Sequence, residues 1–165
     1  MVSSDTARAW HVLQQVPDPE VPVLSVCDLG IVREVVVHEQ AVEVTLTPTY
    51  SGCPATEVIA QSVHDALAQA GFGPVTLNRR LAPAWTTDWI SDEGRRKLRD
   101  HGIAPPSGRA AANDAVPIRL HARGVDCPRC GSAHTERLSA FGSTACKSLY
   151  RCLDCREPFE HFKAI

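Results

Sequence analysis

The chain has 165 residues, of which 44% are hydrophobic, and a formal net charge of −2. Its length suits one ordinary domain, or one small domain joined to a metal-stapled module, and its apolar runs fall far short of the roughly 20 residues that cross a bilayer. The amino terminus lacks the basic and apolar segments of a signal peptide, and the net charge gives no overall case for nucleic-acid binding, so we expect a cytoplasmic protein that binds neither membranes nor nucleic acid.

Helical periodicity appears in three segments. The second segment is the clearest, because Pro54 fits the first turn of a helix, Gly71 fits its end, and residues such as Val58, Ile59 and Val63 form one apolar face. The three predicted helices cover residues 5–16, residues 54–71, and the segment from Ser91, as the capping residue, to Gly102.

Strand patterns surround the second helix. The β-branched runs 31–37 and 41–47 predict a β-hairpin with a three-residue loop, residues 38–40. A third strand is predicted within residues 74–81. Together these elements predict an α+β fold, a small sheet with helices on one side.

Four cysteines near the C-terminus form two Cys-x-x-Cys pairs, Cys127 with Cys130 and Cys152 with Cys155, separated by 21 residues. Each pair fits a tight turn that directs two sulfurs at one metal ion. Two such turns complete a tetrahedral thiolate shell with no open position, which is typical of structural zinc. A redox dithiol, and a rubredoxin-type iron site with the same four ligands, are the alternatives.

The zinc site defines a second predicted domain. Residues 134–141 and 148–152 predict short strands, so we expect a small β-type zinc ribbon, which is too short to bury a sufficient core without a metal. The two domains differ in charge, because residues 1–104 carry 8 Lys and Arg against 13 Asp and Glu, whereas residues 117–165 carry 8 against 5. The predicted boundaries are 1–104 for the first domain, 105–116 for a Pro-, Gly- and Ala-containing linker, and 117–165 for the ribbon.

Cys53 is the main candidate for function in the first domain. We expect it at the N-cap of the second helix, whose partial positive charge would stabilise a thiolate. Three interpretations are open: a small hydrophobic core residue, a nucleophile, or a soft ligand for iron. No motif links a histidine base to Cys53. A single cysteine cannot fill the ligand positions of an iron–sulfur cluster, so a cluster would be shared across a homodimer or with a partner protein.

Two further cysteines lie outside these patterns. Cys146 could be a second functional thiol, a spare zinc ligand or a core residue. Cys27 lies among apolar neighbours and is predicted to be a core residue.

Two runs of sequence carry a family resemblance. DPEVPVLSVCDLGIV (18–32) and TPTYSGCPATE (47–57) resemble the small domain shared by SufT and the cytosolic iron–sulfur targeting factors. In that family the cysteine of the GCPA loop, which matches Cys53, is the functional position, and the aspartate that matches Asp28 lies close to it. PAWTTDWIS (83–91), with the ribbon patterns CPRCGS, FGSTACKSLYRC and CREPFEHFK, narrows the resemblance to the PaaD family, accessory proteins encoded with the oxygenase that epoxidises phenylacetyl-coenzyme A.

The resemblance implies a non-catalytic maturation factor that handles iron or an iron–sulfur cluster for the reductase or oxygenase component of that system. The resemblance implies a transient iron or cluster at Cys53 and Asp28, and we add Cys146 as a further candidate for that site. The structural zinc follows from the spacing of the four paired cysteines. The sequence also lacks di-iron ligand helices, a Gly-rich nucleotide loop and a ferredoxin cysteine pattern, so it is poorly equipped to be the catalyst. The alternatives are a structural or regulatory subunit that docks on the oxygenase, and a thiol enzyme or nucleic-acid binder.

Overall fold

The computed structural model describes residues 4–39, 41–50, 52–107 and 124–165. The chain divides into two compact units, Met1–Gly94 and Arg95–Ile165. Most of the predicted linker lies outside the described residues, and the predicted domain boundaries stay a prediction. No described helix is both long and apolar enough to cross a membrane.

The first unit contains two helices, three strands and a short 3-10 helix. These elements are α1 (Ser4–Leu13), β1 (Val32–His38), β2 (Ala41–Leu46), α2 (Thr56–Gln69), β3 (Val75–Arg79) and the 3-10 helix (Thr87–Trp89). The strands form a mixed sheet in the order β1-β2-β3, in which β2 pairs antiparallel with β1 and parallel with β3. The parallel pairing requires a crossover between β2 and β3, which α2 supplies.

The predicted hairpin is confirmed, but its loop is shorter than expected. His38 pairs with Ala41, so two residues rather than three connect β1 to β2. Glu39 adopts a φ of 54°, the left-handed conformation that a tight hairpin needs and that glycine usually supplies. The turn therefore forms without the glycine that hairpin sequences favour.

The apolar face of α2 is narrower than the sequence indicates. Ile59, Val63 and Leu67, spaced four residues apart, are buried. Val58 is 52% exposed, so its predicted place in the apolar face is wrong. The helix α2 packs beside β3 and α1 packs beside β1, and the central strand β2 buries Val42 and Val44 completely.

The second unit contains a four-stranded sheet. The third helix, α3 (Asp92–Asp100), precedes the strands β4 (Ile103–Ala104), β5 (Thr135–Ser139), β6 (Lys147–Cys152) and β7 (Pro158–Phe162), which lie in the order β4-β7-β6-β5. Both strands predicted for the ribbon are present, whereas β4 and β7 were not predicted. The apolar core of this unit includes Ala104, Val125 and Phe159, together with Cys127 and Cys152. The α+β fold class and the small β-type ribbon are confirmed.

Candidate metal centre and the Cys53 loop

Two turns carry the four paired cysteines, and in both the residue after the second cysteine has a positive φ. In the first turn, the Gly131 N–H donates to the Cys127 carbonyl at 2.8 Å, and Gly131 has a φ of 75°. In the second turn, the Cys155 N–H points to the Cys152 sulfur at 3.5 Å, and Arg156 has a φ of 66°. In both turns the residue after the second cysteine is left-handed, which reverses the chain around the sulfurs. Glycine adopts this conformation readily, whereas Arg156 does so at some cost.

The four sulfurs converge on one point. All four lie within 4.8 Å of one another. The distance is 3.7 Å from Cys127 to Cys155 and 3.6 Å from Cys130 to Cys152, measured between Sγ atoms. A tetrahedral site with metal–sulfur bonds of about 2.3 Å has sulfur–sulfur edges of about 3.8 Å. The cluster therefore has the dimensions of a tetrathiolate metal site.

The thiols of this cluster differ in how readily they ionise. The Glu157 N–H lowers the pKa of Cys155, but burial and the neighbouring thiols outweigh it and raise that pKa to about 12, whereas Cys152 shifts in the opposite direction. The Cys155 backbone N–H contributes most to lowering the pKa of the Cys152 thiol, which falls to about 7. A backbone donor aimed at a sulfur stabilises its negative charge, as metal ligation requires.

A polar bridge that the sequence did not predict joins the two cysteine turns. Asp154, between the cysteines of the second pair, accepts hydrogen bonds from the Ser132 hydroxyl and from His134, whose Nδ1 lies 3.2 Å from the carboxylate. These bonds, first from Ser132 and then from His134, lower the pKa of Asp154. A carboxylate that ties the two turns together fixes the orientation of the ligands they carry.

Cys53 lies on a loop held by the backbone before α2. Its N–H donates to the Tyr50 carbonyl, and its carbonyl accepts from the Thr56 N–H, both at 3.2 Å. The predicted N-cap position is wrong, because Ala55 is the N-cap. Pro54 and Ala55 form a turn before the helix instead of its first residues. Cys53 is half-buried and forms no disulfide, and its sulfur makes no hydrogen bond within the described part of the chain.

Asp28 fastens the loop before β1. Its carboxylate accepts the Ser25 N–H at 2.9 Å and lies 3.3 Å from the Ser91 hydroxyl, and its carbonyl accepts the Ser91 N–H at 2.8 Å. The Ser91 hydroxyl also caps α3, because it accepts the Gly94 N–H at 2.9 Å, and this predicted cap is confirmed. The closeness of Asp28 to Cys53, which the family resemblance implies, stays a prediction.

The remaining two cysteines have different environments. Cys27 is half-buried, and burial together with the charge of Asp28 raises the pKa of its thiol to about 12. This environment therefore disfavours the thiolate form of Cys27. Cys146 is buried, with its sulfur 3.0 Å from the Thr144 hydroxyl, and among the described residues it does not belong to the four-sulfur group.

Comparison with known proteins gives the family. Residues 6–75 match the family model described as iron–sulfur cluster assembly protein, and residues 111–163 match the PaaD zinc beta ribbon domain. The chain is 49% identical, over 94% of its own length and 91% of the relative's, to an Escherichia coli (strain K12) protein whose name makes it a component of 1,2-phenylacetyl-CoA epoxidase. The chain belongs to the PaaD family. The predicted combination of a SufT-like assembly domain with a zinc ribbon is thereby confirmed.

More distant relatives cover the assembly domain of this PaaD-family chain. A Porphyromonas gingivalis (strain ATCC BAA-308 / W83) protein named as an Fe-S protein maturation auxiliary factor is 35% identical over 53% of this chain and 85% of its own. A solved structure of a DUF59 domain from Bacillus anthracis is 25% identical, with a TM-score of 0.54 over 56% of this chain and 90% of that one. These similarities support an accessory or maturation role, and the ribbon's cysteine cluster is a metal-binding group.

Proposed function

We propose that this protein is a non-catalytic, cytoplasmic maturation factor for the multicomponent phenylacetyl-CoA oxygenase, and that Cys53 carries iron or an iron–sulfur cluster destined for the reductase or oxygenase component. The observation that carries the proposal is the state of Cys53 itself. It is a half-buried thiol without a hydrogen bond in the described residues, on a loop whose backbone is hydrogen-bonded on both sides of it, inside the part of the chain that matches an iron–sulfur assembly protein.

The chemistry of transfer follows from the small number of ligands. A thiolate binds soft iron, and one ligand leaves the other positions of the metal open to a second copy or to the recipient protein. A carrier that holds its cargo through few bonds releases it more easily than a closed four-ligand shell does. Asp28 and Cys146, the other predicted members of this site, are buried and hydrogen-bonded, so each would have to give up its present contacts before it could bind a metal.

The ribbon serves a different purpose, and we propose zinc as its metal. Cys127, Cys130, Cys152 and Cys155 would hold the ion in a closed tetrahedral shell, which supplies folding energy and no open coordination position. In small zinc modules this contribution is on the order of 10 kcal/mol at neutral pH. Cys152→Ser should therefore unfold the second unit, and elemental analysis of the wild type should give about one zinc per chain. Retained amide chemical-shift dispersion in the ribbon of Cys152→Ser would contradict the zinc assignment.

Cys53→Ala tests the proposed transfer role, with Cys27→Ala as the matched control in the same unit. We expect Cys53→Ala to fold and to keep its zinc, while reductase isolated from cells that make only this variant lacks its iron–sulfur cluster. Cys27→Ala should support normal reductase, because burial and Asp28 make the Cys27 thiol harder to ionise than an ordinary thiol and so a poor metal ligand. Anaerobic addition of iron and sulfide to the purified proteins should give a visible absorption band with Cys27→Ala and not with Cys53→Ala.

One alternative has an observation in its favour. The Escherichia coli relative is named as one of the epoxidase's subunits, which suits a structural or regulatory role in which the protein docks on the oxygenase. Under this alternative, reductase would be normal in cells that make only Cys53→Ala. The protein would also co-purify with the oxygenase in a fixed ratio, irrespective of iron supply.

A further inference from the structure

An exposed aromatic ring stands at one end of the ribbon sheet. Phe141 is 65% exposed, whereas Phe159 and Phe162 of the same unit are buried. It lies in the loop 140–146 between β5 and β6, within the FGSTACK run that the proposed metal chemistry does not use. A second large apolar side chain, Leu138, is 49% exposed and lies at the bulge of β5. Single exposed apolar side chains are ordinary on protein surfaces, so the case for a contact surface rests on how the Phe141 ring is held.

The loop that carries Phe141 is firmly held. The Gly142 N–H donates to the Lys147 carbonyl at 2.7 Å, and the Ser143 N–H donates to the Glu160 carboxylate at 2.6 Å. Glu160 in turn pairs with the almost fully buried Lys147 at 3.0 Å. A Cβ atom at Gly142 would lie 2.6 Å from Glu160, so the loop fits closely against that carboxylate.

The ring is also flanked by a cation. The Lys163 ammonium lies 4.5 Å from the centre of the Phe141 ring and donates to the Ala140 carbonyl at 3.1 Å. Lys163 therefore fixes both the loop and the ring. The result is an aromatic side chain that is ordered before any partner arrives, so little conformational entropy is lost when it is buried. Aromatic anchors of this kind contribute most of the free energy of many protein interfaces.

The charge of this region indicates what the partner carries. Arg137, next to Leu138, is exposed and makes no ion pair within the described residues, and Glu160 is already neutralised by Lys147. The unit as a whole is basic, because residues 95–165 carry 13 Lys and Arg against 7 Asp and Glu. Complementary charge around an apolar contact steers partners and fixes their orientation.

We propose that Leu138, Phe141 and Lys163, here called the Phe141 surface, dock on an apolar pocket rimmed by carboxylates on the component that receives the metal. The identity of that component rests on the proposed maturation role. Phe141 enters the pocket, Leu138 contacts its apolar edge, and Lys163 meets the carboxylates. The ribbon then acts as the docking module, and the unit that carries Cys53 acts as the metal-handling module.

Binding to purified components tests the proposal without any iron. The zinc-loaded protein is immobilised, and purified reductase and oxygenase components are titrated over it by biolayer interferometry. Phe141→Ala should weaken binding to one component at least about tenfold, as loss of an interface anchor does, whereas Phe141→Tyr should retain it. Leu81→Ala is the matched control, because Leu81 is 63% exposed but lies outside the ribbon. Lys163→Glu should weaken binding. Lys163→Arg should bind with the affinity of the wild type, and its affinity should fall with rising salt concentration as the wild-type affinity does.

The outcomes separate docking from metal handling. Phe141→Ala should take up iron in isolation as the wild type does, so the two proposals can fail independently. Equal affinity of Phe141→Ala and the wild type for both components would overturn the docking proposal, as would the absence of binding to either component. If Phe141→Ala changes only the self-association of the protein, measured by sedimentation velocity, the docking proposal would be overturned, and a second copy of the chain would be the partner of this surface.

Discussion

Gly30→Ala is predicted to destabilise the first unit more than any conformational penalty alone explains. Gly30 lies two residues after Asp28 and has a φ of 70°. A Cβ atom there would lie 2.7 Å from the Trp89 carbonyl oxygen and 2.8 Å from the Trp89 Cβ. Neither atom can move aside by a side-chain rotation, because one is a backbone oxygen and the other is the Cβ atom bonded directly to the backbone. The Arg33 guanidinium also lies over the Trp89 ring, 3.6 Å from the ring centre, and helps to hold Trp89 in place.

The magnitude has two parts. A left-handed φ costs an alanine about 1 kcal/mol relative to glycine. Overpacking against fixed atoms adds about 1–3 kcal/mol. Gly71 isolates the first part, because its φ is 87° and no atom lies within 4 Å of the position of its Cβ. We therefore expect Gly71→Ala to lose about 1 kcal/mol and Gly30→Ala about 2–4 kcal/mol of unfolding free energy.

Tryptophan fluorescence is the appropriate assay, since the three tryptophans, at positions 10, 85 and 89, all precede residue 95. Urea unfolding followed by this signal reports on the first unit, and unchanged m-values would show that the same structure unfolds in each variant. Equal losses in Gly30→Ala and Gly71→Ala would refute the reasoning, because the contact with Trp89 would then contribute nothing.

Two other perturbations have clear expected results. Native Cys27 should react with iodoacetamide at pH 8 at least about a hundredfold more slowly than in urea, because its pKa of about 12 leaves a very small thiolate fraction, and equal rates would contradict its assigned environment. Glu160→Gln leaves the buried Lys147 ammonium unpaired, so it should lower the opening free energy of the β6 and β7 amides, measured by hydrogen exchange, by up to about 3 kcal/mol. The substitution Glu157→Gln, at an exposed position, should change this free energy little. Burial opposes the ionisation of Glu160, but the Ser143 N–H and Lys147 outweigh it and lower the pKa of Glu160 below 4.5. The stabilisation by ionised Glu160 is therefore complete above pH 4.5 and is lost only as the pH falls through the lower pKa of the folded protein. The stability that Glu160→Gln loses should accordingly be equal at pH 7 and pH 5.5.

The regular elements were largely predictable because they depend on local signals. The alternation of β2 and the four-residue spacing in α2 are both visible in the sequence. β7 was missed because Phe162, buried directly after His161, breaks the alternation that Phe159 and His161 begin, and β4 was missed because it has only two residues. The N-cap of α2 was misplaced because a Cys-Pro pair fits a helix start and the turn before a helix equally well.

The candidate sites were also predictable only where they depend on local sequence signals. Cysteine spacing alone determines which sulfurs meet, so the metal cluster was visible in the sequence. The bridge from Ser132 and His134 to Asp154 depends on how two distant turns face each other, which spacing does not encode. Exposure is equally hidden: Phe141, Phe159 and Phe162 look alike in the sequence, and only the packing of β7 separates the exposed ring from the buried ones.

Asp28 remains the residue whose role the sequence and the structure describe differently, and Asp28→Asn distinguishes the two descriptions. The family resemblance places its carboxylate beside Cys53, whereas the structure directs that carboxylate at Ser25 and Ser91. If its role is to hold the loop, Asp28→Asn should lose about 1–2 kcal/mol of stability, because a neutral amide replaces a charged acceptor. Ser25→Ala is the matched control, because it removes the hydroxyl that accepts the Asp28 N–H and leaves the carboxylate in place.

Iron uptake by the two variants then decides between the roles. We expect Asp28→Asn and Ser25→Ala to take up the same amount of iron per folded molecule as the wild type, at a temperature at which the tryptophan signal shows all three to be folded. Loss of uptake in folded Asp28→Asn, with normal uptake in Ser25→Ala, would show that the carboxylate leaves its internal hydrogen bonds to bind the metal. The loop before β1 would then rearrange during each transfer, and the rigidity that Gly30 and Trp89 give to it would oppose the function instead of supporting it.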